Sequence, residues 1–226
     1  MLMEEERKKI VAYGKQLKSS GLTNGTSGNL SILDRTKGLV AISPSGINYD
    51  EVKPEDVVIT NLNGEIVDGH RKPSSELDLH LCIYQADAEA ASIVHTHSMY
   101  CTVFASLHIP LQAVHYLIAN TASDHVPVVD YETYGSKELA VKVSQLMAEN
   151  HAVLMANHGM ICGGDSMEAA MNIAQTCEWI AELQWRCLCV GKPYVLSEEQ
   201  IDEVIEKFQS YGQKDANDKG SKGYTA

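Results

Sequence analysis

The chain has 226 residues, 44% apolar content and a formal net charge of −12, enough length for a substantial core and the wrong charge balance for a broad phosphate-backbone footprint. No window approaches the roughly 18 to 20 consecutive apolar residues that a membrane span requires. The N-terminal MLMEEERKKIVAYGKQL lacks an apolar stretch of the secretory type, so the expectation is a cytoplasmic protein whose partners are neither nucleic acid nor membrane.

Along the chain, residues 3–19 predict an amphipathic helix with Gly21 as its stop. Strands are predicted over 29–33 and 39–43, then over 57–61 and 65–67 around an Asn63-Gly64 turn. After Pro73, SSELDLHLCIYQA carries apolar side chains at 77, 81 and 84. This spacing predicts a helix over 75–86, with Ser74 or Ser75 as N-cap and Glu76 in the first turn. A buried strand over 91–94 follows, then a helix over 98–107, a strand near 126–129, a helix over 136–150, a buried strand over 152–156 and a long helix over 166–190. LSEEQIDEVIEKFQSYG forms the last helix, opened by a Ser-x-x-Glu/Gln signal. One domain is expected over 1–212, and 213–226 has the composition of a mobile polar tail. Hairpins mixed with helices, without regular βαβ alternation, predict a mixed α/β (α+β) domain: a three-layer αβα sandwich around a largely antiparallel sheet. None of the six cysteines forms a CxxC pair, which favours reduced structural thiols.

The sharpest chemical signal is 91-ASIVHTHSMYCT-102. At the end of a strand, residues two apart face the same side, so His95 and His97 project together; on a helix they would diverge by roughly 200°. The segment 152-AVLMANHGMICGG-164 repeats the arrangement, an apolar strand running into His158 before a turn at Gly159. Glu76 adds a carboxylate. Three imidazoles and one carboxylate match the donor set of a catalytic zinc centre that keeps a position open to substrate or water. His80, one turn beyond Glu76, is a further candidate ligand. Singly, each residue has a plainer reading, such as a core histidine or a first-turn glutamate favoured by the helix dipole. Their coincidence is what points to a metal.

A second signal is the loop 22-LTNGTSGNLS-31, dense in Gly, Ser, Thr and Asn. Such loops can turn successive N–H groups onto an anion without any lysine. Two further stretches, 43-SPSG-46 and 74-SS-75, follow a strand and open a helix, and a helix N-terminus is a ready anion site. No GxxxxGK[ST] occurs, so this is not a P-loop.

In this order, GTSGNLS, ISPSGINY, KPSSELDLH, HTHSMYCT, VHYLIA and NHGMICGG resemble the class II aldolase/adducin family, and within it most closely the bacterial L-fuculose-1-phosphate aldolases. The resemblance runs over nearly the whole chain. It implies a zinc-dependent homotetramer that splits L-fuculose 1-phosphate into dihydroxyacetone phosphate and L-lactaldehyde. Zinc would lie among Glu76, His95, His97 and His158, and the phosphate among Gly28, Asn29, Ser45, Gly46, Ser74 and Ser75. Glu76 would act as the base, with Tyr116 and Tyr211 as the catalytic tyrosines. The rival readings on the same fold are a methylthioribulose-phosphate dehydratase, a sugar-acid phosphate decarboxylase and a pentulose-5-phosphate 4-epimerase. Against the last, the epimerase pattern has aspartate where this chain has Glu76. A non-catalytic module like the adducin head is the rival from outside enzymology. Tyr100 and Tyr134 depart from the aldolase pattern, which has histidine and phenylalanine there, and both bear on the aldehyde end of the substrate.

Overall fold

The computed structural model describes residues 1–208; the expectations for Tyr211 and for the 213–226 tail lie outside the described residues. Helix α1 (Glu4–Ser19) leads into β1 (Asn29–Asp34), β2 (Leu39–Ile42), β3 (Val58–Asn61) and β4 (Ile66–Asp68). Next come α2 (Leu77–Ala86), β5 (Ser92–Thr96), α3 (Met99–Leu107), β6 (Leu111–Gln112), β7 (His125–Val126) and β8 (Val128–Val129). The order closes with α4 (Lys137–Met147), β9 (Ala152–Met155), β10 (Gly159–Gly164), α5 (Met167–Val190) and α6 (Glu198–Phe208).

Eight strands form one sheet in the order β4-β3-β2-β1-β5-β10-β9-β8. Every neighbouring pair is antiparallel except β8 and β9, which run parallel. Helices cover both faces, because the strands alternate apolar residues to both sides. Leu154 and Val94 join the core under α1, α3 and α5, whereas Val153, Met155 and Ile93 join the core under α2 and α4. This is the three-layer αβα sandwich expected from the sequence.

Three local outcomes differ from expectation. The segment GMICGG, not expected as a strand, is β10 at the centre of the sheet; its terminal glycines weaken the sequence signal, and pairing with β5 and β9 overrides it. The strand near 126–129 is divided at Pro127 into β7, which pairs with β6, and β8, which pairs with β9. Glu76 lies just before α2 rather than in its first turn, at φ −107° and ψ 23°, and Ser74 Oγ accepts its N–H at 3.3 Å.

Register positions the site. His95 on β5 faces Asn29 on β1 on one side and Ile161 on β10 on the other. By strand alternation His95 shares the side of Ile93, the side covered by α2. Just beyond, the N-terminus of α3 is anchored from α5: Glu178 accepts the N–H groups of Tyr100 and Cys101, each at 2.9 Å. The chain leaving β5 through His97 is thereby held. All six cysteines are free thiols, with Cys101, Cys162 and Cys177 buried.

Candidate active site

Glu76, His95, His97 and His158 converge, each offering one donor atom, and these atoms lie within 4.8 Å of one another. The three rings are mutually edge-on, with centroids 4.8, 4.9 and 5.0 Å apart. His95 is fully buried, and its Nδ1–H donates to the carbonyl of Met160 at 2.9 Å. In the neutral ring that bond keeps the proton on Nδ1 and presents Nε2 to the centre as the ligand atom. His95 Nε2 lies 2.9 Å from His97 Nε2 and 3.2 Å from Glu76 Oε2, and His158 Nε2 lies 3.4 Å from Glu76 Oε1.

The turn between β9 and β10 delivers His158. Asn157 adopts φ 54°, its side chain accepting from His108 Nε2 at 2.8 Å, and Gly159 follows with its Cα pressed on the Thr96 carbonyl, where a side chain would collide. Glycine is required there by the close approach of β10 to β5.

The electrostatics suit a cation. Burial, reinforced by the positive charge of His95, drives His97 down to about 3 and His158 down to about 4, so both are neutral at physiological pH. Burial also opposes charge on His95, but the Glu76 carboxylate outweighs it and raises the imidazole. Burial pushes Glu76 up, yet His95, His158 and the Asn29 amide together hold it below the usual carboxylate range. Glu76 Oε1 is buried and has no hydrogen-bond partner. A buried carboxylate oxygen left unsatisfied beside unprotonated imidazole nitrogens is what a divalent metal would satisfy, so the donor set fits one.

Above the cluster lies a cavity of about 360 Å³. Its lining includes Gly28, Asn29, Ser45, Gly46, Ser74 and Ser75, together with Glu76, His97 and His158. The segments around Ser45 and Ser74 are tied side by side, Ser74 N–H donating to Ser43 O at 3.1 Å and Ser45 N–H to Lys72 O at 2.9 Å. Those two amides are therefore spent, and the serine hydroxyls at 45 and 75, both on exposed residues, remain as donors. Gly28 adopts φ 75°, and a Cβ there would approach the His95 carbonyl to 2.8 Å. No lysine or arginine lines the cavity among the described residues.

Some expected residues sit elsewhere. His80 is not at the metal cluster: both of its ring nitrogens are taken, Nδ1 by Ser31 Oγ at 2.6 Å and Nε2 by Asn29 Oδ1 at 2.5 Å. Tyr116 opens the 3-10 turn Tyr116–Thr121, is 46% exposed and stacks on His115 with centroids 4.5 Å apart; it does not line the cavity of its own chain. Tyr134 does line it, whereas Tyr100 packs on Trp185 at 5.6 Å outside it. Sequence reasoning missed Tyr131, Glu132 and Asn157, which complete the rim. The loop of Tyr131 and Glu132 carries no motif, and Asn157 stands inside NHGMICGG beside the more conspicuous His158.

The class II aldolase and adducin N-terminal domain family matches residues 8–185. The chain belongs to the class II aldolase and adducin family. Within that family it is 49% identical to the 5-deoxy-D-ribulose 1-phosphate aldolase of Bacillus thuringiensis serovar kurstaki, over 95% of this chain and 100% of the relative. It is 36% identical to the L-fuculose phosphate aldolase of Haemophilus influenzae, over 92% of this chain and 95% of the relative. A solved L-fuculose 1-phosphate aldolase superposes with a TM-score of 0.89 at 42% identity, covering 92% of this chain and 98% of that one. As a class II aldolase, the chain is a lyase. No helix among the described residues is long and apolar enough to cross a membrane.

Proposed function

We propose that the chain is a zinc-dependent aldolase that reversibly cleaves the C3–C4 bond of a ketose 1-phosphate ending in a methyl group, giving dihydroxyacetone phosphate and a short aldehyde. The leading substrate is 5-deoxyribulose 1-phosphate, which yields acetaldehyde; the relative of that name is 49% identical along its whole length. L-Fuculose 1-phosphate, yielding L-lactaldehyde, is the second reading, favoured by the solved aldolase at 42% identity. One observation carries the reaction class: the Glu76 carboxylate, with an unpartnered oxygen, faces three imidazole nitrogens beneath a cavity lined by hydroxyl and glycine residues.

A zinc ion held by Glu76, His95, His97 and His158 would supply Lewis-acid stabilisation of the charge that develops on substrate oxygens during cleavage. Imidazole and carboxylate donors also accommodate Mn²⁺, Co²⁺ or Fe²⁺. Gly28, Asn29, Ser45, Gly46, Ser74 and Ser75 hold the phosphate by neutral donors and so fix the C1 end of the chain. Glu76 then manages the proton at C3, delivering it to the enediolate left by cleavage and removing it from dihydroxyacetone phosphate in the reverse direction. Once substrate has displaced Glu76 from the metal, Oε1, which has no hydrogen-bond partner in the protein, would be the oxygen suited to this. Tyr116 takes the C4 hydroxyl proton in cleavage and returns it in synthesis. It lies off the cavity of its own chain, and we assign it to a neighbouring subunit's site in the proposed homotetramer. Tyr211 is proposed as the second tyrosine on sequence resemblance alone.

The deciding experiment offers zinc-loaded enzyme both ketose 1-phosphates and measures dihydroxyacetone phosphate with a coupled dehydrogenase, before and after a chelator. Release from either substrate, abolished by chelation, is expected. No triose phosphate from either one at any enzyme concentration would falsify the assignment; loss of water from them instead would move it to the dehydratase, and carbon dioxide released from a sugar-acid phosphate offered in parallel would move it to the decarboxylase.

A further inference from the structure

We propose that His80 is a positioning residue for Glu76, acting through Asn29 to hold the carboxylate in the orientation that leaves Oε1 free. This rests on the reading of Glu76 as the group that handles the C3 proton.

Between the sheet and α2 runs a closed line of polar side chains. Tyr84 OH lies 2.7 Å from Ser31 Oγ, Ser31 Oγ lies 2.6 Å from His80 Nδ1, His80 Nε2 lies 2.5 Å from Asn29 Oδ1, and Asn29 Nδ2 donates to Glu76 Oε2 at 2.9 Å. His80 and Ser31 are 0% exposed, Tyr84 2%, Asn29 5% and Glu76 6%. Water has no place in the line, so each group must be satisfied by its neighbour.

The direction of every bond follows from one end. A carboxylate only accepts, so Asn29 must turn its amide nitrogen to Glu76 and its carbonyl oxygen to His80. That oxygen also only accepts, so His80 must carry its proton on Nε2. Its bare Nδ1 then accepts from Ser31, whose oxygen accepts from Tyr84. Four donors point the same way, and the last lands on Glu76 Oε2. With that oxygen fixed, the other is left without a hydrogen-bond partner, 3.4 Å from His158 Nε2. Chains of this kind are stiffer than their separate bonds because each bond polarises the next.

Two constraints make His80 more than core filling. Burial, with the charge of His95, lowers its imidazole to about 3, so it remains a neutral donor across the working range. The role also restricts Asn29: one N–H is spent on Glu76, leaving at most one for a phosphate.

The test exploits the fact that glutamine reproduces His Nε2 and asparagine reproduces His Nδ1. His80→Gln keeps a donor to Asn29 and loses the acceptor for Ser31; His80→Asn does the reverse. In the zinc-loaded enzyme, His80→Asn should lower kcat on the ketose 1-phosphate by about 10- to 100-fold with KM within about twofold, and His80→Gln should stay near wild type. A purely structural histidine would leave the two variants alike, and equal kcat values overturn the proposal. The second readout needs neither variant to fold nor any activity. ¹⁵N NMR of histidine-labelled wild-type protein should show His80 protonated on Nε2 alone at neutral pH, and an Nδ1–H tautomer or an imidazolium there overturns it. If the wild type cleaves neither ketose 1-phosphate, the proposed function fails, while the tautomer measurement still decides the hydrogen-bond line.

Discussion

Asn29 and His95 are direct partners in the antiparallel register of β1 and β5, so sheet pairing alone sets side by side the amide that donates to Glu76 and the imidazole that faces it. A one-residue slip of either strand would send one of them to the opposite face. The carboxylate of Glu76, arriving from the start of α2, is held between them.

Glu76→Gln should reduce cleavage by about 10²- to 10⁴-fold, the range of a lost general acid–base group, while three imidazoles retain much of the metal. The checks are kcat on the ketose 1-phosphate and metal content by elemental analysis. Wild-type turnover in that variant would remove Glu76 from proton transfer.

Ser75→Ala takes one hydroxyl donor from the cavity wall. A lost hydrogen bond to a charged group is worth about 1.5 to 3 kcal/mol, so KM should rise by about 10-fold or more with kcat little changed. Steady-state kinetics decide this, and an unchanged KM would place the phosphate elsewhere.

Acid should destabilise the metal-free chain. His80, His97 and His158 titrate at about 3, 3 and 4 in the folded protein against an ordinary value of 6.5. Between those limits the unfolded chain binds more protons, so stability present at pH 7 is lost as pH falls toward 4. His95, raised by Glu76, acts oppositely: its contribution is complete below 6.5 and is lost as pH climbs through its raised value. Three groups outweigh one, so Tm measured after chelation should fall from pH 7 to pH 4. Added zinc should raise Tm more at pH 7 than at pH 5, because the proton that Glu76 helps to hold on His95 competes with the metal for that nitrogen. A flat Tm across this range would contradict the burial argument.

Mixed oligomers test whether Tyr116 acts across subunits. Glu76→Gln and Tyr116→Phe chains should each be nearly inactive alone. Co-expressed, they should form hybrids that recover activity above both parents, since some sites then combine an intact Glu76 with a neighbour's intact Tyr116. Sedimentation confirms that hybrids form; hybrids as inactive as the parents would place Tyr116 in its own chain's chemistry.

How much of this was legible in the sequence varied with the range of the interaction. The pairing of His95 with His97 follows from strand alternation, a local rule, and the histidine at the 157–159 turn could be read from its flanking apolar run and glycine. Glu76 was recognisable as a donor, but its place before α2 was not, because the Ser74 hydroxyl takes its N–H in a turn that precedes the helix. The role of His80 was beyond reach. Its spacing from Glu76 suggested a ligand, and only the register of β1 under α2 brings Ser31 and Asn29 onto its two nitrogens. The strand β10 was hidden by its glycines, one of which the close approach of Thr96 demands.

The proposed phosphate cradle of serine and glycine, with no lysine or arginine among the described residues that line it, has a consequence for ionic strength. Where cationic side chains hold a phosphate, salt screens the attraction and weakens binding. Here the donors are neutral, and the long-range field of a chain carrying a net charge of −12 repels a dianionic sugar. Added salt screens that repulsion instead, so the substrate should reach its pocket as readily, or more so, in concentrated electrolyte.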